Sequence, residues 1–87
     1  MTVKDVLYSI LNRRGMKISD FASDLGADRR NIHTTLSRNE GMGIKVETLL
    51  NFLDTLDCEL VITDIRTGED YLLDGEAEGI DYERNKR

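Results

Sequence analysis

ISDFASDLGADRRNIHTTLS, residues 18–37, decides the fold. Ala22, Gly26 and Ile32 stand at the spacing of two short helices that cross steeply over a tight turn, framed by Phe21, Leu25 and Leu36. At such a crossing the backbones approach closely and a small residue is required, a place that Ala22 fills. Gly26 has no Cβ, so it enters the left-handed conformation that ends the first helix and opens the turn. Asp28 is placed to cap the second helix by accepting a backbone N–H one turn on, and Ile32 and Leu36, at i and i+4, face inward. The spacing predicts helices over about 18–25 and 29–38. The outward face of the second reads Arg29, Arg30, His33, Thr34 and Ser37.

Upstream, Thr2 with Asp5 three residues on makes a near capping box, and Val3, Val6, Leu7, Ile10 and Leu11 form an apolar stripe for a helix over about 3–14, ended by Gly15. Arg13 and Arg14 suit the negative end of its dipole and equally suit a phosphate. Downstream, residues 39–43 read as a loop. A fourth helix over about 46–56 has Val46, Leu49, Leu50, Leu53 and Leu56 inward and Phe52 on its flank. The period then changes from 3.6 to 2 in CELVITD, which predicts a strand. Arg66-Thr67-Gly68 reads as a three-residue hairpin loop, with EDYLL returning. In that register Cys58, Leu60, Ile62 and Leu72 share one face, and Val61, Ile65, Tyr71 and Leu73 the other. Both faces are partly apolar and one helical core can cover only one of them, so a second copy of the chain is expected there. The expected dimer surface comprises Leu60, Val61, Ile62, Ile65, Tyr71 and Leu73. The fold class is therefore mostly α: four helices and a C-terminal β-hairpin. Residues 1–74 form the domain, with a dimerising hairpin over 58–73, and residues 75–87 form a flexible charged tail.

Eighty-seven residues support one small domain. No window approaches the roughly 18 consecutive apolar residues of a membrane span, and the first residues lack a secretory signal, so a soluble cytoplasmic protein is expected. Cys58 is the single cysteine and His33 the single histidine. An intrachain disulfide and a cysteine zinc cluster are thereby excluded, and no metal or cofactor is expected. Cys58 is expected to be a small buried apolar residue. The formal charge of −5 argues against nucleic acid until its distribution is read. Residues 1–45 carry eight Lys/Arg against five Asp/Glu, net +3, whereas residues 46–87 carry four against twelve, net −8. The positive half holds the two-helix motif. Acidic residues such as Asp70, Asp74, Glu76 and Glu78 lie on an exposed edge or tail without an apolar pocket to raise a carboxyl pKa, so no catalytic residue is expected. Gly41-Met42-Gly43 follows a helix rather than a strand and reads as a connection, not a phosphate loop.

On Phe21-Ala22, Leu25-Gly26, Ile32 and Leu36, followed by KVETLLNFLDTLDCELVI, the chain resembles the phage repressor and Cro-like helix-turn-helix regulators, the XRE family, over about residues 3–63. The resemblance implies that the motif's second helix enters the major groove of double-stranded DNA. Base contacts then fall to Arg29, Arg30 and Thr34, with His33 and Ser37 nearby, which agrees with the bidentate fit of Arg to guanine and of Thr to a base edge. It implies phosphate contacts at Lys17, Ile18, Ser19, Asn39, Lys45 and Val46. The chain departs from the family pattern in three places. Thr35 stands where a bulky apolar residue is usual, Ile18 replaces a polar residue that contacts the DNA backbone, and a β-segment takes the place of a fifth helix. The expected function is a dimeric DNA-binding transcriptional regulator, a repressor of phage or mobile-element origin. The alternative is a protein-binding inhibitor or antitoxin on the same fold, using the acidic second half to engage a protein partner.

Overall fold

The structure is a computed structural model that describes residues 1–78; the expected tail therefore lies mostly outside the described residues. Its order is α1 (Val3–Arg13), α2 (Ile18–Leu25), α3 (Arg29–Ser37), a tight turn (Arg38–Gly41), α4 (Val46–Thr55), β1 (Val61–Asp64) and β2 (Glu69–Leu72). Four helices and an antiparallel hairpin are the expected architecture. Thr2 and Asp5 form the full capping box of α1: the Thr2 hydroxyl accepts the Asp5 N–H, and the Asp5 carboxylate accepts the Thr2 N–H at 2.9 Å. The Thr2 backbone bond, and then its side-chain bond, hold the Asp5 carboxyl below its ordinary value.

Leu7 and Leu11 of α1, Phe21 and Ala22 of α2, Ile32 and Leu36 of α3, and Phe52, Leu53 and Leu56 around α4 make one buried cluster. Phe21 and Phe52 meet edge to face, ring centroids 5.4 Å apart and planes at 90°, a geometry that adds about 0.5–1.5 kcal/mol to their burial. Phe52 is thus a core residue rather than a flanking one. Leu49, Phe52, Leu53 and Leu56 form the i, i+3, i+4, i+7 face that meets the core, whereas Val46, one turn earlier, overhangs it and is exposed. Val6 is also exposed at the edge of its stripe. Thr35 is half-buried while Leu36 is fully buried, so Leu36 supplies the apolar contact that Thr35 lacks. Cys58 is half-buried rather than buried, with a guanidinium nitrogen of Arg14 3.7 Å from its Sγ.

The segment after α3 is more structured than a loop. Asn39, Glu40 and Gly41 all have positive φ, at 52°, 57° and 78°. For Glu40 this costs about 1–2 kcal/mol, whereas Asn39 adopts the region more readily. The turn carries the chain back to α1, where the Sδ of Met42 accepts the Val3 N–H at 3.4 Å. Gly41 is buried at this joint, and a Cβ there would lie 3.3 Å from Val3 and 3.4 Å from Leu36.

The hairpin register differs by one residue from the expected one. Asp64 pairs with Glu69, leaving a four-residue loop, Ile65 to Gly68, so that Val61 faces Leu72 and Ile62 faces Tyr71. The Asp64 carboxylate accepts the Arg66 N–H at 2.9 Å and its carbonyl accepts the Gly68 N–H at 2.7 Å, which closes the turn one residue earlier. A one-residue shift reassigns every cross-strand pair. Val61 and Leu72 therefore share one face, and Ile62, Tyr71, Leu60 and Leu73 the other. Leu60 packs against the helical core, but the strand residues are exposed except for Asp64. The described residues extend 44 × 24 × 23 Å with a radius of gyration of 15.2 Å, against about 12 Å for a compact chain of this size. The hairpin projects.

Gly41→Ala is expected to destabilise the fold by about 1–3 kcal/mol, because it adds left-handed strain to a crowded contact. Gly43→Ala, with no atom within 4 Å of the added Cβ, serves as the control and should shift stability by less than about 0.5 kcal/mol. Urea denaturation of the two variants checks the difference.

Candidate nucleic-acid interface

The second helix of the motif, α3, begins at a capped turn. Gly26 ends α2 in the left-handed conformation at φ 73°, and the Asp28 carboxylate accepts the Arg30 N–H at 2.9 Å. Ile32 and Leu36 anchor the inner face of α3 in the core, which turns Arg29, Arg30, His33, Thr34 and Ser37 outward, and all five are exposed. Two arginines at the start of this row bring planar donor forks that match guanine or phosphate.

On either side of α3 a helix begins without a side-chain cap. Lys17 is the N-cap of α2 and Lys45 the N-cap of α4, and a lysine has no acceptor to offer the first N–H groups. At α2 the Asp20 carboxylate accepts the Lys17 N–H at 2.9 Å, while Asp20 N–H is the first in the helix to reach a backbone carbonyl, that of Lys17. The N–H groups of Ile18 and Ser19 at α2, and of Val46 and Glu47 at α4, are the orphan donors that a helix start presents. With the positive end of each dipole and a lysine beside it, both helix starts suit an anion. The other two helices, α1 and α3, carry side-chain caps.

Two shallow concavities join these parts. One, of about 330 Å³, is lined by Ile18, Arg29, Arg30 and His33, which places the start of α2 beside the start of α3. The other, of about 340 Å³, is lined by Thr34, Thr35, Arg38, Gly43, Ile44, Lys45 and Thr48, between the end of α3 and the start of α4. Lys17, Ser19, Ser37, Asn39 and Val46 are exposed but line neither, and Asn39 stands in the left-handed turn. Arg38 and Thr48 are polar groups of this surface that were not among the expected contacts. The signal was present: Arg38 extends the basic run of α3, and Thr48 lies three residues after Lys45, on the first turn of α4.

Arg14 is committed elsewhere. Its guanidinium donates to the Leu56 carbonyl at the end of α4, a contact between the first and fourth helices that satisfies a terminal carbonyl. Among the described residues no group of three or more His, Cys, Asp or Glu is placed to hold a metal ion, and no helix is long and apolar enough to cross a membrane.

An outward row on α3 between two uncapped helix starts defines a class, the helix-turn-helix DNA-binding domain. The chain belongs to the Cro/C1-type HTH DNA-binding domain family, which matches residues 6–66. No curated protein and no solved structure matches it. The family match agrees with the resemblance read over residues 3–63, and it makes DNA the partner of this chain.

Proposed function

We propose that the protein is a transcriptional regulator, a repressor of phage or mobile-element origin, that acts in the cytoplasm as a homodimer on an operator with two related half-sites. The observation that carries this reading is the flanking of the exposed row on α3 by two helix starts whose N-caps are lysines. Arg29, Arg30 and Thr34, with His33 and Ser37, read base edges. Lys17, Ile18, Ser19, Asn39, Lys45 and Val46 hold phosphates, the first two helix turns through backbone N–H groups. The dimer is supported by the projecting hairpin, on which Val61, Ile62, Ile65, Tyr71 and Leu72 are 46–92% exposed. Such a run of apolar side chains on an unpaired two-stranded sheet favours association with a second copy. A two-fold dimer then places two copies of α3 about 34 Å apart, one turn of DNA.

The acidic second half favours a second reading, in which residues 46–87 engage a protein partner and the motif serves as scaffold. The two readings differ in which residues carry the effect. Selection of bound duplexes from a random pool at about physiological salt should return an inverted repeat. On that operator Arg29→Ala or Arg30→Ala should cost about 1–3 kcal/mol and relax one position of each half-site. Lys17→Gln or Lys45→Gln should weaken all duplexes alike and lower the salt slope by about one. Unchanged binding by the Arg29→Ala, Arg30→Ala double variant contradicts the assignment.

Association is read separately. Light scattering on the intact chain should report a dimer, and Ile62→Asp with Val61→Asp should dissociate it while leaving the helical circular dichroism signal in place. A monomer at high micromolar concentration that protects a full palindrome contradicts the proposed dimer.

A further inference from the structure

Ile18 occupies the first position of α2, where the family resemblance implies a polar side chain bonded to the DNA backbone. Its side chain is half-buried against the core. What remains exposed lines the same concavity as Arg29, Arg30 and His33. An apolar side chain thus stands beside Arg29 and Arg30 on the surface proposed to face the groove. Burial of the α3 inner face through Ile32 and Leu36 fixes this arrangement, since both residues are essentially inaccessible.

The major-groove edge of a base pair offers the Ile18 side chain a single apolar feature, the C5-methyl group of thymine, which 5-methylcytosine shares. Guanine offers O6 and N7 to a bidentate arginine. A guanidinium bonded to guanine in its own plane keeps its faces free, and those faces stack on neighbouring apolar groups. A methyl group lying between such an arginine and the Ile18 side chain would be covered on two sides. We infer that Ile18, Arg29 and Arg30 form a subsite for the C5-methyl of a pyrimidine adjacent to a guanine in each half-site. Ile18 is the specificity-determining residue of this subsite, and the arginines supply the guanine contact. The inference rests on the proposed entry of α3 into the major groove.

The test uses the full chain and the operator recovered by selection. Each thymine of one half-site is replaced in turn by deoxyuridine, which removes only the methyl group, and the dissociation constant is measured by fluorescence anisotropy at fixed salt. One position, next to a guanine, should weaken binding about three- to five-fold, the scale of one buried methyl. At that position 5-methylcytosine should bind more tightly than cytosine by a similar factor. Ile18→Ala should bind the thymine operator more weakly and no longer distinguish it from the deoxyuridine operator, whereas Ile18→Val should retain most of the distinction. Thermal melting of both variants controls for folding, and the deoxyuridine series on the unmodified chain needs no variant at all. A half-site with no methyl-sensitive position beside a guanine overturns the subsite, as does a methyl effect that persists in Ile18→Ala. Those results leave the proposed function standing, whereas failure to recover any operator overturns both.

Discussion

The edge-to-face contact of Phe21 with Phe52 sets the placement of α3 and of the two helix starts beside it. Phe21 belongs to α2 and Phe52 to α4, the two helices that begin at Lys17 and Lys45. Helix α3 is then held to the same core by Ile32 and Leu36, beside Ala22, whose small side chain admits the close crossing. Three helix starts are thereby locked relative to one another by a few large side chains with very low accessibility. A cavity at Phe21 or Phe52 would cost about 3–5 kcal/mol, a large fraction of the stability of a domain this size. The same loss would loosen the spacing of the three starts.

The capping pattern shows how local stability is distributed around that core. Thr2 and Asp28 carry the side-chain oxygens that helix starts prefer, and each accepts a backbone N–H. Lys17 and Lys45 stand at the equivalent positions without one, which costs about 0.5–2 kcal/mol relative to a good cap. Their positive charges also oppose the adjacent dipole ends. An anion at either start would remove both penalties at once, so the proposed phosphate contacts would be coupled to helix stability. The left-handed Asn39 and Glu40 are a second local cost, tolerated because the turn they form returns the chain to Val3 and seats Gly41 in the core.

Much of this was legible in the sequence because it depends on short-range rules. Gly26, Asp28, Thr2 and the Ile32/Leu36 pair each specify a local geometry through a few neighbouring residues, and the structure has them in those roles. The misreadings arose where a distant contact or a side-chain turn decided the outcome. Phe52 lies at the margin of the helical stripe and became core because Phe21 meets it from another helix. Val46 has the right period but falls at the end of the helix, beyond the reach of the core. The hairpin shifted by one because the Asp64 side chain closes the loop, a bond that residue alternation does not encode. Arg14 was equally suited by charge to phosphate and to a helix end, and only the fold brings it to Leu56. Of the interface, the exposed face of α3 followed from periodicity, whereas the concavity shared by Arg38, Lys45 and Thr48 depends on how α3 and α4 pack.

That two uncapped helix starts and the face between them form one DNA-binding surface is the proposal on which the assignment of contacts rests. Amide chemical-shift mapping during titration with the selected duplex tests it most directly. The largest changes should fall on the N–H groups of Ile18, Ser19, Val46 and Glu47 and along residues 29–37, with Asp5 at the capped start of α1 little affected. Changes concentrated on residues 59–74, with those four amides unmoved, would contradict it.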